Sequence, residues 1–363
     1  MMNLALQQAV RALRISSPNP RVGCVIVAAD GRLLGQGHTQ AVGGPHAEIM
    51  ALRDADAAGN SVLGATAFVT LEPCAHHGRT GPCCDALVAA GIAKVVAAIQ
   101  DPNPLVAGQG FARLQGAGVA VEVGEGAAAA RELNLGFFSR MVRGVPWVRL
   151  KAATSLDGRT ALPNGVSQWI TSDAARRDGH AWRARACAIL TGVGTVLGDN
   201  PRLDVRLGDV QRQPALVIVD SHLQTPPDAA LWGAARRRVL VYTAAGDAAR
   251  HDALQALGAE IVVLPDTQGK VDLAAMMRDL GRRDINELHV EAGHKLNGSL
   301  IRACLVDELL LYQAPMLLGD GVGLAALGPF SELAQAPLLH VRDIQTVGPD
   351  MRLIARWPGR DDF

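Results

Sequence analysis

The stretch Pro45-His46-Ala47-Glu48, followed by Pro73-Cys74 and then Cys83, constrains this chain more than any other feature. It sets one imidazole, two thiols and one carboxylate on short turns beside expected helix starts. A catalytic zinc takes three protein ligands and leaves its fourth position to water. His46, Cys74 and Cys83 meet that count, which leaves Glu48 free as a proton shuttle. Taken singly, each cysteine reads as a small buried apolar residue and His46 as a turn residue. The combination points to metal, because H-A-E follows Pro and E-P-C follows the apolar stretch Ala67-Phe68-Val69-Thr70-Leu71. Two adjacent cysteines do not easily face one metal, so Cys83 is assigned as ligand and Cys84 to the start of the following helix. A structural zinc would need a fourth protein ligand, which the pattern does not offer.

A chain of 363 residues exceeds one ordinary core, so two domains are expected. Short apolar runs at 22–27, 33–37, 67–71, 95–99 and 119–123 predict strands. Between them, 3–15, 46–58, 84–90, 107–117 and 127–140 predict helices. Such alternation implies an α/β sheet covered on both faces. Gly144-Val145-Pro146 is a hinge, since Pro cannot continue the preceding helix. Domains are therefore placed at 1–145 and 146–363. The second repeats the alternation, with strands near 147–154, 187–191, 215–220, 238–242, 260–264, 286–291 and 306–314. Helices fall near 173–185, 249–257, 272–281 and 295–304, and 344–347 with 352–356 suggests a closing antiparallel pair.

Composition excludes several classes. Basic and acidic residues balance at 35 each, and neither domain has the basic excess that phosphate-backbone binding requires, so no nucleic-acid partner is expected. Six cysteines make no dense disulfide framework, and no apolar run reaches the ~18 residues of a membrane span. The opening Met1-Met2-Asn3-Leu4-Ala5-Leu6, continued by Arg11 and Arg14, reads as an amphipathic helix rather than a signal peptide. A soluble, cytoplasmic homo-oligomer without membrane contact is expected.

H-x-E followed by P-C and a second Cys resembles the nucleobase-deaminase signature, in which the Glu is not a ligand. The second Cys here lies nine residues after the first, not three. A closer resemblance runs through Pro18-Asn19-Pro20-Arg21-Val22-Gly23-Cys24-Val25-Ile26-Val27, Pro45 to Glu48, Thr70-Leu71-Glu72-Pro73-Cys74-Ala75-His76-His77-Gly78-Arg79-Thr80-Gly81-Pro82-Cys83-Cys84 and Gln100-Asp101-Pro102-Asn103-Pro104. These are similar to the deaminase half of the bifunctional riboflavin-biosynthesis deaminase/reductase family, whose own pattern has the nine-residue separation. The resemblance implies a cytidine-deaminase-like three-layer α/β/α domain. It also implies that Asn19, His76, Arg79, Asp101 and Asn103 line the pyrimidine pocket, with Arg79 toward the ribose phosphate. Taken alone, Asp101 and Asn103 read as turn-formers before Pro. The family usually has an aromatic residue and then His after the second strand; here His38-Thr39 stands there, so any such contact falls to His38 from one position earlier.

Lys151-Ala152-Ala153-Thr154-Ser155-Leu156-Asp157-Gly158-Arg159-Thr160-Ala161, Ser167-Gln168-Trp169-Ile170-Thr171, Gly192-Val193-Gly194-Thr195-Val196, Asp199-Asn200-Pro201-Arg202-Leu203, Arg206 and Val290-Glu291-Ala292-Gly293 through Gly298-Ser299 resemble the reductase half of the same family. That half is dihydrofolate-reductase-like and uses NADPH. Without G-x-G-x-x-G after the first strand, a Rossmann domain is disfavoured. Glu291-Ala292-Gly293 leads from a strand into a helix, the geometry in which backbone amides hold phosphate.

The resemblance places Lys151, Asp199 and Glu291 at the reacting centre, with Ser167, Arg183, Leu203, Arg206 and Glu291 on the substrate. It assigns Ala153, Trp169, Thr195, Asp199, Ser221, Gly293, His294, Lys295, Leu296, Asn297, Gly298 and Ser299 to the cofactor. The implied function is zinc-dependent hydrolytic deamination of a phosphorylated pyrimidine, 2,5-diamino-6-(5-phosphoribosylamino)pyrimidin-4-one, then NADPH-dependent reduction of its ribosyl group to ribityl. A deaminase acting on tRNA is disfavoured by the neutral charge and the cysteine spacing, and leaves 147–363 unexplained.

Overall fold

The computed structural model describes residues 1–75, 81–104, 106–208, 210 and 212–363. The chain divides into two compact units, Met1–Gly144 and Val145–Phe363. No helix among the described residues is long and apolar enough to cross a membrane.

The first unit runs α1 (Met2–Arg11), β1 (Gly23–Val27), β2 (Leu33–His38), α2 (Ala47–Ala57), β3 (Thr66–Val69), α3 (Cys83–Ala89), β4 (Lys94–Ala97), α4 (Gln109–Gly116), β5 (Ala120–Val123), α5 (Ala127–Leu133) and α6 (Leu135–Arg143). Its sheet has the order β2-β1-β3-β4-β5. β1 is antiparallel to both its neighbours, while β3, β4 and β5 are parallel. Strand β1, between β2 and β3, is buried throughout and presents alternate residues to two helical layers. Val25 and Val27 pack with Met2, Ala5 and Ala130 on the α1 and α5 side. Glycines let the helices approach closely: a Cβ at Gly23 would strike the carbonyl of Ala5 on α1, and one at Gly35 or Gly37 would strike α2. Because β1 opposes β3 and β2 opposes β1, the start of β1, the end of β2 and the ends of β3 and β4 share one edge of the sheet. Functional loops gather there.

The expected helix over 127–140 is interrupted at Asn134, which adopts φ −120° and separates α5 from α6. Its buried amide accepts from the Arg21 N–H at 2.7 Å and donates to the Arg21 and Ala130 carbonyls. A side chain that bonds backbone in this way competes with helix continuation.

The second unit comprises β6 (Trp147–Ser155), β7 (Arg159–Ala161), α7 (Asp173–Arg185), β8 (Ala188–Gly192), α8 (Val193–Asp199), β9 (Ala215–Val219), β10 (Val239–Thr243), α9 (Ala248–Ala256), β11 (Ala259–Val263), α10 (Leu273–Arg282), β12 (Glu287–Val290), α11 (His294–Arg302), β13 (Glu308–Ala314), β14 (Val322–Gly323), β15 (His340–Val347) and β16 (Asp350–Arg356). Nine strands form one sheet ordered β11-β10-β9-β8-β12-β6-β13-β16-β15. All pairings from β11 to β13 are parallel, and the expected antiparallel pair of β15 and β16 closes the other end. The α/β alternation read from the sequence is therefore the architecture found. It did not reveal α8, nor the short two-stranded sheet of β7 and β14.

The two faces of this sheet differ in chemistry. On one, Val148, Leu150, Leu288 and Val290 join Met276, Met277, Leu280 and Leu300 in an apolar core. On the other, β6, β12 and β13 carry Arg149, Glu287 and Glu308, all at most 2% exposed. Arg149 donates to Glu308 and, at 3.1 Å, to Glu287. Arg356 reaches Glu308 at 2.8 Å, and Arg185 of α7 reaches Glu287 at 3.0 and 3.1 Å. The Trp182 ring lies against the Arg149, Arg185 and Arg352 guanidiniums, at 4.5, 5.0 and 5.7 Å from its centroid. Helix α7 thus docks on a charged surface whose members satisfy one another. Removing one partner leaves a buried charge uncompensated, at a cost of about 3–5 kcal/mol. All five tryptophans lie in this unit. Glu308→Ala is therefore expected to lower its denaturation midpoint, followed by tryptophan fluorescence, by that equivalent; a loss under about 1 kcal/mol would contradict a structural role for the pair.

Candidate active sites

In the first unit, His46 caps α2 in extended conformation, Cys74 follows β3, and Cys83 opens α3. The Nδ1 atom of His46 stands 3.6 Å from the Cys74 sulfur and 3.4 Å from the Cys83 sulfur, and the three donor atoms lie within 4.8 Å of one another. A tetrahedral zinc with Zn–S near 2.3 Å and Zn–N near 2.0–2.1 Å requires N···S separations of about 3.6 Å. The donor set fits that ion in number, type and spacing.

Protonation fits as well. Cys83 and burial act in opposite senses on Cys74, and hydrogen bonds from Cys83 and His46 bring its thiol down to about 4. Cys83 is pushed up, first by the Cys74 sulfur and then by burial. The two neighbouring sulfurs thus oppose each other's ionisation, and a bound cation would supply the charge that lets both ionise. Cys84, by contrast, donates to the Pro73 carbonyl at 3.2 Å and the Gly110 carbonyl at 3.5 Å. Burial and Glu48 push it to about 12, so it remains a thiol turned away from the three donors.

Glu48, in the first turn of α2, is 3% exposed. Burial and then Cys74 raise its carboxyl to about 7. Such a group both accepts and releases a proton near neutrality. Glu72, two residues before Cys74, is 4% exposed, and backbone amides gather around its carboxylate. It accepts from the N–H groups of Asp101 at 3.1 Å, Gly108 at 3.0 Å, Gly110 at 2.8 Å and Phe111 at 3.4 Å. One carboxylate thereby ties the loop after β4 to the loop carrying Cys74. Sequence reading passed over Glu72, although E-P-C offered the signal.

Asn19, Asp101 and Asn103 are half-buried on the same sheet edge. The Asp101 carboxylate accepts from the Asn103 N–H at 2.8 Å, so the turn-forming use of this pair is realised. His76 and Arg79 lie outside the described residues. Thr39 is buried and turned to Val22, with its hydroxyl 3.3 Å from the Val22 N–H and 3.4 Å from the carbonyl. It is anchored to the residue just before β1, while His38 ends β2 opposite Gly23.

In the second unit, the carboxyl ends of β6, β8, β9 and β12 meet where the strand order reverses, the position at which open parallel sheets bind ligands. Glu291, just past β12, receives two guanidinium nitrogens of Arg183, Nε and, at 2.8 Å, Nη2. The Lys151 Nζ is 4.0 Å away and His289 Nε2 3.4 Å. Burial works against the Glu291 carboxylate, but Arg183 outweighs it and holds it well below the usual range. Burial also lowers Lys151, partly offset by Glu291. His289 is wholly buried and lowered by burial, and His180 is brought to about 4 by burial, Arg183 and Arg206. Arg183 is thus engaged bidentately with Glu291. Asp199 sits exposed at the end of α8, and partial desolvation of its carboxyl raises its pKa.

Of the residues attributed to the cofactor, Ala153, Thr195, Ser221 and Gly293 lie at or just past the ends of β6, β8, β9 and β12. Ala153 is half-buried on β6 and Thr195 half-buried on α8. Trp169 is exposed beneath the Arg176 guanidinium, 4.5 Å from its centroid, and Ser167 lies close by in the same segment. The Ser221 hydroxyl accepts from the Val271 N–H at 3.2 Å. Gly293 caps α11, which continues through His294 and Lys295. Beyond that turn the helix looks inward. Leu296 packs where a Cβ on Gly192 would stand, Asn297 donates to the Leu324 carbonyl at 2.9 Å, and a Cβ on Gly298 would strike Ala326. Ser299 bonds back to the Lys295 carbonyl at 3.1 Å. At 100° per residue no helix turns seven successive side chains to one ligand. What the start of α11 offers an anion is its first-turn N–H groups, since the Asn297 side chain is turned to Leu324 and Gly298 has none. Leu203 and Arg206 lie in one turn with Arg202 and Asp204, which Arg237 braces, and the sequence singled out none of these last three.

A three-layer α/β/α unit holding a His-Cys-Cys donor set beside a buried carboxylate defines a protein of the zinc-dependent cytidine-deaminase type. Residues 1–99 match the family model of the cytidine and deoxycytidylate deaminase zinc-binding region, and residues 146–353 that of the RibD C-terminal domain. The chain is 46% identical over 362 residues to riboflavin biosynthesis protein RibD of Escherichia coli (strain K12), covering 96% of each. Acinetobacter baumannii RibD superposes with a TM-score of 0.89 at 39% identity, covering 98% of this chain and 97% of that one. A Thermotoga maritima protein described as a diaminohydroxyphosphoribosylaminopyrimidine deaminase/5-amino-6-(5-phosphoribosylamino)uracil reductase superposes at 0.87 and 33% identity, with the same coverage. The chain belongs to the RibD family of bifunctional riboflavin-biosynthesis deaminase/reductases.

Metal content separates the neighbouring thiols. Cys84→Ser is expected to retain one zinc per chain and Cys83→Ser to lose it, measured by atomic emission on purified protein. The reverse pattern would show that Cys84 is the ligand.

Proposed function

We propose that the first site removes ammonia from 2,5-diamino-6-(5-phosphoribosylamino)pyrimidin-4-one, and that the second reduces the ribosyl group of the product to ribityl with NADPH. The observation that carries the first assignment is the placing of two thiols 3.4 and 3.6 Å from one imidazole, two residues from a buried carboxylate. His46, Cys74 and Cys83 would hold the zinc, which supplies a Lewis-acidic centre at which water ionises near neutral pH. Glu48 takes the proton from the attacking water and delivers it to the departing amine. Asn19, Asp101 and Asn103, with His76 and Arg79, bind the pyrimidine and its phosphate. The closeness of the first three to the metal donors on one sheet edge supports that role.

NADPH, when bound at the strand ends from Ala153 and Trp169 to Thr195, Ser221 and the start of α11, supplies the hydride. Reduction also needs a proton, and Lys151, an ammonium with a lowered pKa, is the group that gives it. Glu291 orients Lys151 and Arg183, Asp199 borders the hydride path, and Ser167, Leu203 and Arg206 hold the sugar and phosphate. The protein is proposed to be a cytoplasmic homo-oligomer. Support for association comes from β15, one of the two edge strands, where Val341 and Ile344 are exposed near Leu338.

General acid–base groups contribute roughly 10²–10⁴-fold. Glu48→Gln is expected to keep its zinc and to lose ammonia release by at least about 10²-fold; near wild-type release would remove Glu48 from the mechanism. Cys74→Ser, lacking zinc, should still oxidise NADPH when given the deaminated pyrimidine. Failure of that reaction in a folded variant would mean that the two chemistries share one site.

A further inference from the structure

Four arginines converge at the mouth of the second site, and one buried carboxylate sets the aim of two of them. The Asp204 side chain is 4% exposed. Its Oδ1 accepts from Arg206 Nη1 at 2.6 Å and its Oδ2 from Arg202 Nη2 at 2.7 Å. Those two arginines are 50% and 55% exposed. A guanidinium has five N–H donors in a fixed fork. Each therefore spends a small part of its capacity on Asp204 and turns the remainder outward.

The backbone beneath them is over-determined. Leu203, between Arg202 and Asp204, has φ +51°, a conformation a leucine adopts only when its surroundings impose it. Arg237 imposes it, with Nη1 donating to the carbonyls of Arg202 at 3.1 Å and Leu203 at 2.8 Å, and Nη2 donating to that of Leu231. Gln213 brackets Val205 through its N–H at 2.8 Å and carbonyl at 2.9 Å. Arg183, bidentate to Glu291, reaches the Asp204 carbonyl at 3.0 Å and so fixes this turn against the reacting centre. Among the described residues, Glu291 and Asp204 are the acids paired with these four arginines. Two positive charges are left over, and a phosphate monoester carrying about −1.5 to −2 matches them.

We propose that Arg202 and Arg206, splayed by Asp204, form a two-guanidinium clamp for the 5-phosphate of the sugar. Arg202 is then a substrate-binding residue and Asp204 a positioning residue. An arginine already held loses less side-chain freedom when the anion arrives, and a planar fork suits phosphate better than a point charge. The inference rests on the reductase reading of the second site.

The test uses the full-length zinc-loaded protein with NADPH. The substrates are 5-amino-6-(5-phosphoribosylamino)uracil and its analogue lacking the phosphate. Arg202→Ala, Arg206→Ala and, as a control for lost charge, Arg238→Ala are compared. Hydrogen bonds to charged groups correspond to roughly 10–150-fold in affinity. Arg202→Ala should raise KM for the phosphorylated substrate by about 10–100-fold, with kcat nearly unchanged. Its KM for the analogue should stay at the wild-type value, and Arg202→Lys should recover part of the loss. Calorimetric binding of ribose 5-phosphate should weaken in parallel. A large effect in Arg206→Ala with none in Arg202→Ala overturns the clamp and leaves the reductase reading standing. No phosphate-dependent effect in either variant overturns both. An equal loss with both substrates makes Arg202 structural and also overturns the clamp. Should Arg202→Ala fail to fold by tryptophan fluorescence, Arg202→Gln is judged by the same outcomes.

Discussion

The ion pair between Arg183 and Glu291 is the contact on which the second unit's site depends. A carboxylate past the end of a central strand, shielded from water, would ordinarily take up a proton. The bidentate guanidinium keeps it ionised. Only as an anion can it steady Lys151, whose charge burial opposes. The same guanidinium reaches the turn at Asp204, so Glu291 and the arginine cluster are held together by one side chain.

Glu72 does comparable work in the first unit by other means. It has four backbone N–H groups in place of a cation. The loop carrying Asp101 and Asn103 lies at a sheet edge, so apolar packing alone does not make it rigid. A buried acceptor that gathers its amides makes it so.

Much of this was legible in the chain. Buried strands such as 187–191 and 286–291 stand out as short runs between turn residues, and His, Cys and Glu beside Pro at helix starts are too unusual to overlook. What stayed hidden depends on contacts that only the fold creates. Asn134 looks like one residue of a helix until its amide meets Arg21. Helix α8, with glycines at 194 and 198, has weak intrinsic propensity and exists because it follows β8 over the sheet end. Asp204 reads as one acid among arginines, and its importance comes from being buried beneath them. Conversely, the stretch 293–299 reads as one segment in sequence, while helical rotation divides it between first-turn amides and inward side chains such as Leu296 and Asn297.

Docking through charge constrains helix α7 more tightly than apolar packing would. Trp182, Arg183, Arg185 and Asp178 each meet a fixed polar partner on the sheet or its loops: Asp178 accepts from Tyr312 at 2.6 Å and from Arg352 at 3.0 Å. An apolar helix can slide or exchange residues of similar volume at modest cost. This one cannot, because every register but one strands a charge. Substitutions along α7 should therefore be strongly epistatic. The helix is then free to vary in descendants only when strand residues vary in step, and the evolutionary history of the reductase half should be written in such paired changes.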